Sequence, residues 1–275
     1  MEKKKIFKSA PLPFMGQKRK FLKQFIPALQ SYSPTAIYID MFGGSGLLSH
    51  TVKSIYPDAT VLYNDFDNYS ERLQNIDKTN LILYELRQIL QNCLPERKIL
   101  GLERDSVLNC IKKAQNSGYV DFITLSSNLL FSMKYVLNYE QLEKETLYNC
   151  VRKSDYDATG YLDGIQVTSK CYKDLFEMYR DKENVIFLVD PPYLSTESGT
   201  YKSFWKLRDY LDVLNVLDGT KYFYFTSNKS SIIELCEWIE TKTPMSNPFT
   251  GAYTETMNAT VNYQTSYTDI MIYKP

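Results

Sequence analysis

Asp190-Pro191-Pro192-Tyr193 is the stretch of this chain best equipped for chemistry. It follows the apolar run Val185-Ile186-Phe187-Leu188-Val189, short enough to be a buried strand. A carboxylate, two prolines and an aromatic ring therefore stand where a strand of an α/β sheet would end, and ligands bind in the crevice outside such strand ends. Proline has no backbone donor, so the stretch offers acceptors and little else. A flat ring bearing an exocyclic amine suits it. Tyr193 would stack on the ring, while Asp190 and a carbonyl within Pro191-Pro192 would accept the amine hydrogens.

A second set of residues lies earlier. Ala36 to Met41 reads as a strand, Phe42-Gly43-Gly44-Ser45-Gly46 as a glycine-rich turn and Leu47 to Ile55 as a helix stopped by Tyr56-Pro57-Asp58. Thr60 to Tyr63 is another short strand, closed by Asn64-Asp65-Phe66-Asp67. Strand, glycine turn, helix, strand and acid open a Rossmann-type nucleotide-binding unit. The spacing is Gly-Gly-x-Gly, so a dinucleotide pyrophosphate is not specifically implied, and the spacing disfavours an oxidoreductase. Gly43, Gly44 and Gly46 would let a ligand approach the backbone. The helix N-terminus behind them suits a carboxylate as well as a phosphate. Asp40 favours a cation such as an amino-acid ammonium, and Asp65 is placed for ribose hydroxyls. Alone, the turn could be a loop and Asp40 a plain strand-end carboxylate. Together they fit a nucleoside with an amino-acid tail, S-adenosylmethionine.

These elements need a sheet to hold them. Ile165 to Thr168, Val185 to Val189, Tyr222 to Thr226 and Tyr267 to Tyr273 supply further strands, and Tyr172 to Arg180, Lys206 to Leu217 and Ser230 to Thr241 supply helices. Ser195 to Lys202 reads as a polar loop, and Pro244 to Asn262 as a polar, turn-rich stretch. Between Tyr69 and about Asp163 the pattern is helical: Leu81 to Cys93, Asp105 to Asn116 and Phe122 to Val136, with a loop over Asp155 to Gly164. That is too long for a single crossover. The expected division is a catalytic domain over 1–69 and 164–275, with a helical insert over 70–163.

Composition narrows the classes. The 275 residues make one large domain, or one domain with an insert, and 44% hydrophobic residues suffice for a core. The formal net charge of zero excludes a polycation. A nucleic-acid surface would have to be local, and Lys3-Lys4-Lys5, Lys18-Arg19-Lys20 and Lys23 are the densest basic run. Five scattered cysteines without a CxxC pair, and one histidine, argue against a zinc site and for reduced thiols in a cytosolic compartment. No metal is expected, and no apolar stretch reaches membrane-spanning length. His50 reads as a helix-surface residue, and Asn228 as a cap for the helix after it.

With these motifs in order, the chain resembles the Dam-like (alpha-type) family of DNA adenine-N6 methyltransferases. Pro13-Phe14-Met15-Gly16-Gln17-Lys18-Arg19-Lys20-Phe21 resembles the family's N-terminal motif, Asp40-Met41-Phe42-Gly43-Gly44-Ser45-Gly46 its cofactor loop, and Asp190-Pro191-Pro192-Tyr193 its catalytic tetrapeptide. The Thr226-Ser227-Asn228 strand end and the closing Asp269 to Tyr273 strand also fit. The likeness covers both ends of the chain more than Tyr69 to Gly164.

The resemblance implies an α/β fold: a Rossmann-like S-adenosylmethionine-dependent methyltransferase sheet with a mostly helical target-recognition insert. It implies methyl transfer to the exocyclic amine of an adenine flipped out of double-stranded DNA, in a cytoplasmic enzyme of bacterial or phage origin. Phe14, Gly16, Lys18, Asp40, Phe42, Gly43, Gly44, Gly46, Asp65 and Phe66 would surround the methyl donor. Asp190 would serve donor and target amine together, with Pro191, Pro192 and Tyr193 completing the catalytic group. Two departures stand out. Phe14 replaces a frequent tryptophan or tyrosine. The Arg- and Asn-rich hairpin with Gly-Phe-Asn, carried by members that read GATC, has at most a remnant in Lys134 to Tyr139. Arg97, Lys98, Arg104, Lys112, Lys113 and Lys134 are candidate phosphate contacts in the insert. A methyltransferase acting on RNA, or a catalytically silent DNA-binding or regulatory module with the same fold, stays open beside this reading.

Overall fold

The computed structural model describes residues 6–131, 134–193, 205–242, 246–262 and 265–275, with backbone alone at 259–262, 265 and 266. Lys3 to Lys5 and the Ser195 to Lys202 loop lie outside the described residues. Two compact units emerge: Met1–Lys8 with Lys18–Asp67 and Leu162–Pro275, and Ser9–Gln17 with Asn68–Tyr161.

In the first unit, seven strands among the described residues form one sheet: β1 (Ile37–Asp40), β2 (Thr60–Asn64), β3 (Gln166–Thr168), β4 (Val185–Val189), β5 (Lys221–Ser227), β6 (Tyr253–Asn262) and β7 (Thr265–Lys274). The order is β3-β2-β1-β4-β5-β7-β6. The first five are parallel, and β7 runs antiparallel between β5 and β6. This is a Rossmann-like α/β arrangement, and its strand order reverses between β1 and β4, where such sheets open a crevice. Helices in chain order are α1 (Leu22–Leu29), α2 (Leu47–Ile55), α3 (Tyr69–Gln74), α4 (Ile76–Ile89), α5 (Gly101–Ser117), α6 (Phe122–Leu129), α7 (Tyr139–Leu142), α8 (Tyr172–Tyr179), α9 (Leu207–Leu217) and α10 (Ile232–Lys242).

All five residues of β4 are buried, as a strand covered on both faces requires. Alternation sorts them. Val185, Phe187 and Val189 join Ile39, Tyr222 and Tyr224 in one core with Leu175, Phe176, Val213, Leu217 and Cys236 of α8, α9 and α10. On the opposite face, Phe21 and Phe25 meet Phe225 and Phe223 edge-on, with centroids 5.6 and 4.8 Å apart. Burial of Leu22, Phe25, Ala28 and Leu29, at helical spacing, fixes α1 on this face. That contact also fixes Lys18, in the single turn Lys18–Lys20 just before it.

The second unit has its own core, built from Leu83 and Leu86 of α4, Val107 and Ile111 of α5, and Leu125 and Leu129 of α6, with Leu142 and Leu147. Residues 9–17, expected with the catalytic domain, group here. The Tyr69 hydroxyl accepts from the Leu12 N–H at 2.9 Å and donates to the Leu12 carbonyl at 3.0 Å. Arg72, buried, donates to the Pro13 carbonyl at 2.8 Å and pairs with Asp121 at 3.0 Å. The buried pair needs every one of these partners to offset desolvation.

Three expectations change. The helix expected over Phe122 to Val136 stops at Leu129, and Leu130 is extended (φ −123°, ψ 154°). Side chains compete with the helix there: Ser126 Oγ accepts the returning Val136 N–H at 3.0 Å and Asn128 Oδ1 accepts that of Arg152 at 3.0 Å. The turn-rich stretch ending at Asn262 is a strand from Tyr253 onward, because β7 offers it a partner and Tyr253 stacks on Tyr273, centroids 5.3 Å apart. His50 is buried, 2% exposed, and its Nε2 accepts the Phe7 N–H at 3.0 Å. It holds the N-terminal segment and is no surface residue.

Candidate functional site

Strand register brings two acids to the reversal point. Asp40, last in β1, pairs with Leu188 of β4, and Asp190 follows two residues on. Both therefore stand at the carboxyl ends of adjacent parallel strands.

Asp40 is 1% exposed. The Ser49 hydroxyl, from the first turn of α2, donates to its Oδ2 at 2.7 Å, while its Oδ1 has no partner. Burial above all raises this carboxyl, to about 7 on balance: the Ser49 hydroxyl, the Ser49 N–H and the Lys18 charge lower it, and the Asp190 charge raises it. A buried acceptor without a donor is costly, so this oxygen can take a cationic donor.

The turn after Asp40 is shaped from within. Gly44 and Gly46 lie in the left-handed region, at φ 49° and 71°. A Cβ on Gly43 would come within 2.2 Å of Tyr63 Cδ2, so the physical demand for glycine there comes from the Tyr63 ring. That hydroxyl lies 2.7 Å from the Gly44 carbonyl and 3.1 Å from Asp65 Oδ1, and its one proton serves either. Asp65 is buried and Phe66 exposed. Phe42 leaves the glycine turn for an aromatic cluster. Its centroid is 5.4 Å from Tyr172 and 5.3 Å from Trp205, which stack on one another at 5.3 Å.

At the second strand end, Lys18 Nζ lies 2.5 Å from Asp190 Oδ2, with the two side chains 10% and 19% exposed. Burial raises the Asp190 carboxyl, the Lys18 charge and hydrogen bond lower it, and Asp269 raises it again. Pro191 is buried, and Pro192 and Tyr193 are half-buried. Lys18 Nζ sits 5.5 Å from the Tyr193 ring centroid, within cation–π range. The Tyr193 hydroxyl points to Asp269 Oδ1 at 3.4 Å.

Lys18, Asp40, Phe42, Gly43, Gly44, Gly46, Asp65, Phe66 and the tetrapeptide thus all belong to the first unit. Phe14 and Gly16 belong to the second, where the Phe14 ring meets Tyr69 edge-on at 5.6 Å and Gly16 has φ 80°. Three of the basic residues expected to face nucleic acid have partners in their own unit. Lys134 pairs with Glu145 at 2.6 Å, Arg104 donates to the Glu143 carbonyl, and Lys112 Nζ sits 5.6 Å from the Tyr139 centroid.

Ser49, Asn64 and Asp269 stand in the sequence only as parts of their helix and strands, with no place in the expected site. Asn64 Nδ2 donates to the Met41 and Lys170 carbonyls, both at 3.0 Å, and its Oδ1 accepts the Lys170 N–H at 2.9 Å. It ties the ends of β1 and β2 to the segment after β3. An asparagine closing an apolar strand was the available signal. Asn228 caps no helix: it accepts the Thr268 N–H at 2.9 Å through Oδ1 and donates its own N–H to the Thr268 carbonyl at 2.9 Å.

Comparison with known proteins shows the family. The profile of the family described as D12 class N6 adenine-specific DNA methyltransferase matches residues 14–229. A Haemophilus influenzae (strain ATCC 51907 / DSM 11121 / KW20 / Rd) protein named "Putative methyltransferase" is 42% identical over 287 residues, covering 100% of this chain and 95% of its own. A crystal structure titled as a "putative methylase" from Haemophilus influenzae aligns at 11% identity and TM-score 0.35, over 95% of this chain and 90% of that one, and adds no weight. On the profile match and the 42% relative, the chain belongs to the D12 class N6 adenine-specific DNA methyltransferase family.

Proposed function

We propose that this methyltransferase carries a methyl group from S-adenosylmethionine to the N6 amine of an adenine flipped out of double-stranded DNA. One observation carries the reading. Asp40, with an unpartnered buried oxygen, and Asp190, charge-balanced by Lys18, end neighbouring strands at the reversal of the sheet.

The donor fits the residues present. Asp40 Oδ1 would accept from its ammonium, and Asp65 with Phe66 would face the nucleoside. Bound there, S-adenosylmethionine would supply an activated methyl carbon on a sulfonium. Everything else falls to the chain. Lys18 takes Asp190 Oδ2, so Oδ1 is the oxygen for a target amine. A carbonyl of the Pro191-Pro192 stretch takes the second amine hydrogen. Two acceptors draw the amine out of conjugation with its ring and aim the lone pair for in-line displacement. Orientation and electrostatics perform this work. The amine is inaccessible inside a duplex, so the base is extruded and stacked on Tyr193.

The test is methyl transfer from labelled donor to duplex DNA and, in parallel, to RNA, with nucleosides identified by mass spectrometry. N6-methyladenine from duplex DNA, lost in an Asp190→Ala chain that still folds, is the expected result. Product from RNA alone would overturn the substrate. Absence of donor binding by calorimetry would point to a silent module.

A further inference from the structure

We propose that Asp269 is a positioning residue that holds the Tyr193 ring for the target base. The proposal rests on the function proposed above and adds a residue that none of the motifs contains.

Asp269 stands on a strand paired on both sides. It lies on β7 opposite Ser227 of β5. The two Asn228–Thr268 hydrogen bonds, each 2.9 Å, clamp the backbone one residue before it. Tyr193 follows two prolines, which have no N–H to donate to a neighbouring strand. From its fixed strand, the half-buried Asp269 presents Oδ1 to the Tyr193 hydroxyl at 3.4 Å. That is long for an O–H···O bond, so it tethers the ring by its tip rather than locking it.

Charge supports the same placement. Burial raises the Asp269 carboxyl, and Lys18, the Tyr193 hydroxyl and Lys20 each lower it. Lys18 is the ammonium that pairs with Asp190 and sits over the Tyr193 ring. Lys18 thus lies over the ring, and Asp269 is the carboxylate aimed at its hydroxyl. A stacking platform must keep one plane as the base arrives, and an aromatic ring anchored only at its Cβ does not.

The experiment uses full-length protein and duplex DNA with 2-aminopurine at the target position, whose fluorescence rises on extrusion. Donor affinity by calorimetry and Tm serve as controls. Asp269→Ala should weaken engagement of the extruded base about three- to tenfold, the scale of one hydrogen bond, with donor affinity unchanged. Asp269→Asn retains Oδ1 as an acceptor and should match wild type. Tyr193→Phe should reproduce the Asp269→Ala loss, and the double variant should lose no more than either single, because both remove one contact. Wild-type behaviour of Asp269→Ala, multiplicative losses in the double variant, or a loss in Asp269→Asn would overturn the proposal. If Asp269→Ala folds poorly, Asp269→Asn against Tyr193→Phe decides alone: the first must keep engagement and the second must lose it. A wild type that extrudes and methylates adenine while Asp269→Ala does so equally removes only this role. A wild type that does neither removes the proposed function and this role with it.

Discussion

Lys18 Nζ and Asp190 Oδ2 are 2.5 Å apart, and the lysine comes from the turn that α1 pins to the sheet. A buried carboxylate without such a partner drifts toward its neutral form. Asp190 has its counter-charge supplied from about 170 residues earlier in the chain. Lys18→Met should therefore raise the Asp190 pKa beyond what burial already does. Because the proposed role needs ionised Asp190, the acid limb of the pH–rate profile should move to higher pH. An unmoved limb would show that Lys18 does not set the Asp190 charge.

Asp40 gives a linked pair of outcomes. Its folded-state pKa, about 7, lies above the ordinary value of 3.8, so the folded chain holds more protons than the unfolded one between them. Stability contributed by the neutral form is complete below about 4 and is lost as pH rises through 7. Asp40→Asn should therefore raise the Tm of the ligand-free protein at pH about 8, because the folded chain then no longer buries an ionised carboxylate. Below pH about 4, where Asp40 is neutral in the folded and the unfolded chain alike, Tm should hardly change.

Donor binding by the same acid should release a proton. A bound ammonium favours the ionised carboxylate, so calorimetry near pH 6.5 should give enthalpies that depend on the buffer's ionisation heat, in the direction of release. Asp40→Asn should remove that dependence and weaken donor affinity about tenfold or more. Buffer-independent enthalpy in the wild type would place the ammonium elsewhere.

Gly43→Ala would put a methyl group inside the Tyr63 ring, at 2.2 Å from Cδ2. Overpacking of this kind costs about 1–3 kcal/mol. Tyr63→Ala in the same chain should recover part of the loss by vacating the space, although it destabilises on its own. Urea midpoints of the two single variants and the double form a cycle. Additive losses would mean that Tyr63 is not what excludes a side chain at position 43.

Asn64→Ala removes three hydrogen bonds at once, a buried one to the Met41 carbonyl and two half-buried ones to the backbone of exposed Lys170. The expected loss is about 1–3 kcal/mol, carried mainly by the buried Met41 carbonyl, since the Lys170 groups can turn to water. Faster amide exchange should appear first at the ends of β1 and β2 and around Lys170. Uniform exchange across the sheet would argue against a local tie.

The parallel sheet was legible because its strands are short apolar runs stopped by glycine or acid, and α2 falls on Leu47–Ile55 as its flanking signals require. Asp190 and Asp40 were legible for a related reason: each is an acid directly after an apolar run. Other features had little local signal or none. β6 is mostly polar, with Tyr253, Met257, Ala259 and Val261 on alternate positions, and its antiparallel partner is β7. The end of α6 depends on Ser126 and Asn128 meeting chain that returns from further on. The demand that Tyr63 makes on Gly43 had no local signal either, since the ring that excludes a Cβ comes from β2. Asp269 looked like one more polar residue in a closing strand until Tyr193 was seen opposite it.

The cluster of Phe42, Tyr172 and Trp205 gives this chain a built-in optical gauge. Of its two tryptophans, Trp238 is exposed on α10, while Trp205 lies against the ring two residues beyond Asp40. In a Trp238→Phe background, indole emission comes from a single probe beside the glycine bend. Occupancy of that bend can then be followed in real time, without labelling the protein or waiting for turnover.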